Sequence, residues 1–292
     1  MRYGVHVNSG AAVTDPSVLH DLGQLAEDLG YDSILIGDHV VPPRKINTPF
    51  PLQMEHPPWH VYQEQPWPDC FVMLSFLAAA TKRVRLGTSV IILPYRHPAL
   101  VAKMVATLDR LSGGRVICGV GIGWLREEFG FLGVPFAERA AMSDEYVAAM
   151  KALWTNDHPR CAGRYVTIDQ DVNFGPLPVQ QPHPPIWVGG NTLPALRRVA
   201  RWGDGWQPVY LSLPMIQQKL GQLRALMEEE GRDFRQLEIT TLAGATVTVE
   251  EASAYQAAGI HTLYMLTTSD KPPELFVQMQ QFARTVREFA DR

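Results

Sequence analysis

Four short segments hold the residue types that could do chemistry. Asp38-His39 ends an apolar run. A histidine placed there can give or take a proton near neutral pH. Thr88 and Ser89, then Tyr95-Arg96-His97, add hydroxyls, a cation and a second imidazole. His97 precedes Pro98 and reads as a structural residue at a helix start. Gly119, Gly121 and Gly123 lead into Trp124, then Arg126, Glu127 and Glu128. Exposed capping is the expected role of the two glutamates, with a reach into the site open to one of them. Gly189-Gly190-Asn191-Thr192 is the fourth segment. Its glycines admit a ligand close to the backbone, Thr192 adds a hydroxyl, and free amides at a helix start bind phosphate-like anions. Together these groups describe a site for a ligand with a planar part and an anionic part.

Other chemistries fit less well. Gly119-Val120-Gly121-Ile122-Gly123 lacks the third glycine offset of a dinucleotide fingerprint, and the first strand carries no such motif. It reads instead as open backbone beside a flat ring. His56 and His60 are four apart, but in a proline-broken stretch, and a zinc site needs three or four converging ligands. No metal is expected. The net charge of -4 lacks the basic footprint of a nucleic-acid binder. Cys70, Cys118 and Cys161 form no CxxC pair and read as reduced, mostly buried thiols of a cytoplasmic protein. Neither a signal peptide nor a membrane span is expected.

The elements that must position these segments alternate between strand and helix. Strands are expected at 3–7, 33–36, 84–93, 116–120, 186–188, 205–208, 237–242 and 262–266. Amphipathic helices are expected at 16–29, 69–81, 99–111, 138–154, 194–202, 215–230, 250–258 and 273–290. Eight such units in 292 residues average about 36 each, which suits a βαβ repeat. The expected fold is a single (β/α)8 TIM barrel over residues 1–292, with its site at the C-terminal ends of the strands. A doubly wound sheet is the alternative. The proline-rich stretch 40–68, carrying Trp59 and Trp67, reads as an ordered lid. An excursion at 163–185 precedes the fifth strand.

Several of these segments, in this order, resemble the luciferase-like monooxygenase superfamily and most closely its coenzyme F420-dependent oxidoreductases. They are Gly37-Asp38-His39-Val40-Val41, Arg85-Leu86-Gly87-Thr88-Ser89-Val90, Leu108-Asp109-Arg110-Leu111-Ser112-Gly113-Gly114-Arg115, Gly119 to Trp124, and Pro184 to Asn191. The resemblance covers about residues 1–210. It implies a barrel holding F420 or FMN over the strand ends. Asp38 would hydrogen-bond the ring, and His39 would transfer a proton or orient substrate. Thr88, Ser89 and Val90 would line the ring, with Ser89-Val90 as the place for a non-proline cis peptide. Gly189, Gly190, Asn191 and Thr192 would take the phosphate. Sugar-phosphate dehydrogenases of this family carry a catalytic Glu soon after the fourth strand, where this chain has Trp124. That departure points to another substrate, apolar or aromatic, walled by Trp59, Trp67 and Trp124. The expected activity is hydride transfer with F420, the alternative being FMN-dependent monooxygenation with reduced flavin and oxygen. A metal-dependent barrel hydrolase and a non-catalytic flavin-binding protein are the readings from other classes. A homodimer is expected, as is a reductase partner that recycles flavin or F420.

Overall fold

The computed structural model describes residues 1–7, 14–50, 66–267, 269 and 271–290. Eight parallel strand positions close into a barrel among these residues. In order around it they are β1 (Arg2–Val7), β2 (Ser33–Ile36), β3 (Arg85–Thr88) continued by β4 (Ile91–Ile92), and β5 (Val116–Gly121). After the antiparallel hairpin β6 (Cys161–Ala162) and β7 (Thr167–Ile168) come β8 (Ile186–Gly189), β9 (Gly205–Gln207), β10 (Glu238–Ala243) and β11 (Thr262–Leu266). β11 pairs with β1 and so closes the circle. Short apolar strands buried on both faces, each followed by a helix, can satisfy their backbone polar groups this way.

The helices form because their apolar residues recur on one stripe and their first turns are capped. Helix Pro16–Asp28 starts after Asp15, whose carboxylate accepts from Ser17 N at 2.8 Å. Helix Cys70–Ala80 is capped by Asp69 in the same way. His97 caps helix Pro98–Ser112 through Ala99 N, which is the structural role expected of it. No helix among the described residues is long and apolar enough to cross a membrane.

The floor of the barrel is plugged. Trp187 and Tyr264 are fully buried inside it with Leu35 and Ile117. Gly4 and Gly205 are bare because a Cβ there would collide with the Tyr264 and Trp187 rings. Below them Arg85 bridges Asp32 (2.5 Å) and Glu238 (2.9 Å). With its lower end filled, the barrel can admit a ligand only at the C-terminal ends of its strands.

Two sequence expectations change here. The run 84–93 is not one strand: it breaks at Ser89–Val90, whose peptide bond is cis, and β4 pairs with the upper half of β5. A short helix, Arg126–Phe131, also intervenes before the long helix Arg139–Thr155.

Candidate active site

The strand ends open into a cavity of about 740 Å³. His39 and Trp67 after β2, Ser89 and Val90 between β3 and β4, and Gly121 to Trp124 after β5 line one side of it. The turn Gly189 to Thr192 lies at one end, and Gln207, which ends β9, lines the cavity together with Pro208 to Tyr210. Trp59 lies outside the described residues.

His39 is held by one of the two glutamates for which exposed capping is the expected role and a reach into the site the open alternative. Glu128 is fully buried. It accepts from His39 Nδ1 (2.7 Å), Tyr95 Oη (2.9 Å), Val40 N (2.6 Å) and Val41 N (2.9 Å). Burial alone would push the Glu128 carboxyl up. The bonds from His39 and from Val41 and Val40 outweigh it and hold the carboxyl below its ordinary range, so it is ionised at neutral pH. An ionised carboxylate only accepts, so Nδ1 carries the hydrogen and Nε2 is the atom that can take or give a proton. Trp67 packs edge-on against the imidazole, with ring centroids 4.6 Å apart.

Asp38 has a different occupation. Its carboxylate is buried and receives Arg96 through two bonds, 2.8 and 2.9 Å, and Ile92 N at 3.0 Å. Both oxygens are therefore in use, and Asp38 ties the loop after β2 to β4. A buried carboxylate paired bidentately in this way fixes geometry. Thr88 also lies a layer deeper than expected. Its hydroxyl donates to the Gly119 carbonyl at 2.6 Å, and the residue does not line the cavity.

Val90, next to the cis bond, forms a ledge. A Cβ on Gly121 would lie 2.5 Å from Val90 Cγ2, and one on Gly189 would lie 2.7 Å from Cγ1. The room left by these two glycines is thus filled by the valine methyls, which they support from below. His6 Nε2 lies 3.2 Å from the Ser89 carbonyl oxygen on the same ledge. Gly123 has φ +76, and its side-chain position is occupied by Ile92 and Phe129.

At the far end, Gly190 adopts φ +114, a value glycine tolerates. Asn191 spends its amide on Val209, donating to the carbonyl (2.7 Å) and accepting from N–H (3.0 Å). Thr192 caps helix Leu193–Trp202 by accepting from Ala195 N. Two guanidiniums absent from the sequence reading share this end. Arg198 pairs with Asp144 at 2.7 Å. Arg139 donates only to the carbonyls of Gly123 (3.2 Å) and Phe136 (2.9 Å) and has no carboxylate partner among the described residues. Burial and the charges of Arg126 and Arg198 hold its pKa below the usual value. An under-compensated cation beside a helix start is the electrostatics of an anion site.

The stretch after β2 is clasped at Asn47 and Thr48 by the other glutamate. Glu127 accepts from Asn47 N (2.6 Å), Thr48 N (2.9 Å) and Thr48 Oγ1 (2.6 Å). Burial pushes its carboxyl up, but the Thr48 hydroxyl and the Asn47 and Thr48 amides pull it further down, to about 2. Because the folded value is depressed, this clasp stabilises fully above the ordinary carboxylate range and is lost as pH falls toward 2. Glu127→Gln is expected to flatten the fall in melting temperature between pH 4.5 and 2, and a differential scanning series reads this. Phe50, further along the same stretch, meets Trp124 edge-on at 5.2 Å.

The profile of the luciferase-like monooxygenase family matches residues 2–291. This chain belongs to that family. Among luciferase-like relatives, an uncharacterized protein of Mycobacterium tuberculosis is 33% identical over 237 residues, 81% of each chain. The FMNH2-dependent dimethylsulfone monooxygenase of Pseudomonas putida is 32% identical over 62% of this chain and 50% of its own. The F420-dependent glucose-6-phosphate dehydrogenase of Microbacterium testaceum is 31% identical over 70% and 56%. Two solved luciferase-like structures share the fold with TM-score 0.79. One is a monooxygenase from Streptomyces bottropensis, 22% identical over 99% of both chains. The other is an F420-dependent secondary alcohol dehydrogenase, 18% identical, covering 98% of this chain and 99% of that one. The chain is thus an enzyme of a family with both F420-dependent and FMN-dependent members.

Proposed function

We propose that this enzyme transfers a hydride between coenzyme F420 and a small, apolar or aromatic organic substrate. The observation that carries this reading is the His39–Glu128 pair at the cavity wall. A reaction that interconverts alcohol and carbonyl must move a proton at oxygen, and His39 Nε2 is a group built for it. The residues present fit the cofactor class. The Val90 ledge offers an apolar platform for a flat ring, and Arg139, Arg198 and the Gly190 turn offer positive potential for a phosphate ester. When bound, the deazaflavin supplies a two-electron hydride carrier. The protein's own work is to hold the ring edge and the phosphate, keep water out with Trp67, Trp124 and Phe50, and manage the proton at His39. Asp38 positions β4 and thereby the ledge.

FMN-dependent monooxygenation with a reductase partner is the second reading. The paired guanidiniums favour it, because they suit a terminal phosphate dianion. Incubation with oxidised F420 and a panel of aliphatic and benzylic alcohols separates the two readings. Bleaching of the deazaflavin absorbance supports hydride transfer. Oxygen uptake seen only with reduced FMN sinks it. Under either reading, replacing Arg139 by Gln is expected to weaken FMN and F420 binding by about 10- to 100-fold while changing riboflavin binding little, because a charge-assisted contact is lost. Fluorescence titration reads both.

A second copy of the chain is the partner we infer. Helix Cys70–Ala80 is apolar except for Ser75, yet Val72 is 70% exposed and Phe76 is exposed beside it. A helix of that composition is normally covered. Sedimentation equilibrium of the purified chain tests this, and a monomer at micromolar concentration would refute it.

A further inference from the structure

Gln207 is the residue that neither the fold nor the proposed acid–base chemistry uses. It ends β9 and is 5% exposed, and it lines the cavity. Neither its Oε1 nor its Nε2 has a hydrogen-bond partner among the described residues. Its backbone is committed, since its carbonyl accepts from Gly190 N at 3.2 Å. The side chain sits beside Gly119, where a Cβ would come within 2.9 Å of Oε1. Its strand neighbour in register is Gly189, which supports the Val90 ledge. A buried carboxamide with both ends unsatisfied carries a desolvation cost that a leucine or methionine of similar size would not. Buried polar groups in native proteins are nearly always paired, so an exception facing a ligand cavity points to a ligand.

The chemistry of the missing partner follows from the inventory of a primary amide. It presents one acceptor and two donors on a flat group, which match a cyclic amide or imide through two parallel hydrogen bonds. Flavins and deazaflavins share such an edge, in which N3–H lies between two carbonyls. On neighbouring β10 the Thr240 hydroxyl is committed, donating to the Trp206 carbonyl at 3.2 Å, while the Thr241 hydroxyl, also on the cavity wall, is uncharged and has no partner among the described residues. A neutral edge therefore suits this part of the wall, while the charged part of the ligand belongs at Arg139.

We infer that Gln207 reads the imide edge of the cofactor ring and sets its insertion depth against the Val90 ledge. This rests on the proposed flavin-type cofactor and adds a ring-recognition residue to it. The role does not depend on which of the two rings is bound, since both carry the edge.

The test uses the full chain and four probes: F420, FMN and the N3-methyl derivative of each. Wild-type protein is expected to bind the parent of its preferred ring about tenfold more tightly than the N3-methyl form, the discrimination of one good neutral pairing. Gln207→Met is expected to weaken the parent about tenfold, leave the N3-methyl form unchanged and so erase the discrimination. The same variant is expected to melt higher than wild type without ligand, because two unsatisfied buried atoms are removed. Gln207→Leu, which also removes the acceptor that would face N3–H, serves if the methionine variant does not fold. It should also lose discrimination. Equal affinity of wild type for parent and methylated rings, or a variant that keeps the discrimination, overturns the inference. So does a Gln207→Met protein that melts lower while binding the parent ring normally, since the amide would then be structural. Failure of the wild type to bind any of the four is a different result: it removes the cofactor reading itself, and this inference with it.

Discussion

His39→Ala is expected to lower kcat by about 10²- to 10⁴-fold while leaving cofactor affinity within a few-fold of wild type. Its imidazole supplies proton transfer and makes none of the anion or ledge contacts. Glu128→Gln is expected to lower kcat by about 10²-fold or more, with the same small effect on binding. The carboxylate accepts four hydrogen bonds, from His39, Tyr95, Val40 and Val41. An amide accepts only through its oxygen, so at least one buried N–H or O–H loses its partner and the imidazole loses its fixed tautomer. Double-variant kinetics then discriminate roles. If His39 and Glu128 act as one unit, removing both should cost little more than removing His39. Additive losses would show that Glu128 acts through the lid instead. Steady-state rates with the active substrate–cofactor pair and a separate binding titration supply both numbers.

The second large effect is on stability. Arg96→Ala leaves the Asp38 carboxylate buried without its cation. Their side chains are 11% and 1% exposed, so solvent cannot replace the pair. Breaking a buried pair from one side costs about 3–5 kcal/mol, which for a chain of this size lowers the melting temperature by roughly 10 °C. Replacing both, as Asp38→Leu with Arg96→Met, should recover much of that loss, because an apolar pair of similar volume is often neutral. Cofactor binding should not recover with it. Asp38 also accepts from Ile92 N, and β4 depends on that bond to hold Val90 in place. A double variant that melts like wild type and binds the ring normally would contradict the positioning role given to Asp38.

The barrel was legible because each strand and helix carries its own period and cap. Asp15 before Pro16 and His97 before Pro98 mark their helices with local chemistry. The strand 262–266 falls where its apolar run places it. The break at Ser89–Val90 is not a matter of local propensity. Val84 to Leu93 is an apolar and β-branched run with only Arg85, Gly87 and Ser89 inside it, and its interruption depends on β5 and on Asp38 pulling Ile92 inward. The site was half legible for the same reason. Residues at strand ends, such as His39, Val90 and Gly190, announce themselves by position. Glu128 does not: it follows β5 in a short loop and helix start where exposed capping is the expected role of both glutamates, and only folding shows which of them turns its carboxylate under His39. Arg139 and Arg198 sit on helices whose inward faces look like ordinary amphipathic stripes. Gln207 follows Trp206 in a three-residue strand, too short for alternation to show which side chain faces inward.

Side-by-side fluorescence titration of the purified apo-protein with oxidised F420 and with FMN tests the central claim most directly. The account predicts saturable binding of both rings at the strand-end cavity, tighter for F420, and weakened by Arg139→Gln. Clear preference for FMN would contradict the hydride-transfer reading and move the enzyme to oxygen-dependent chemistry.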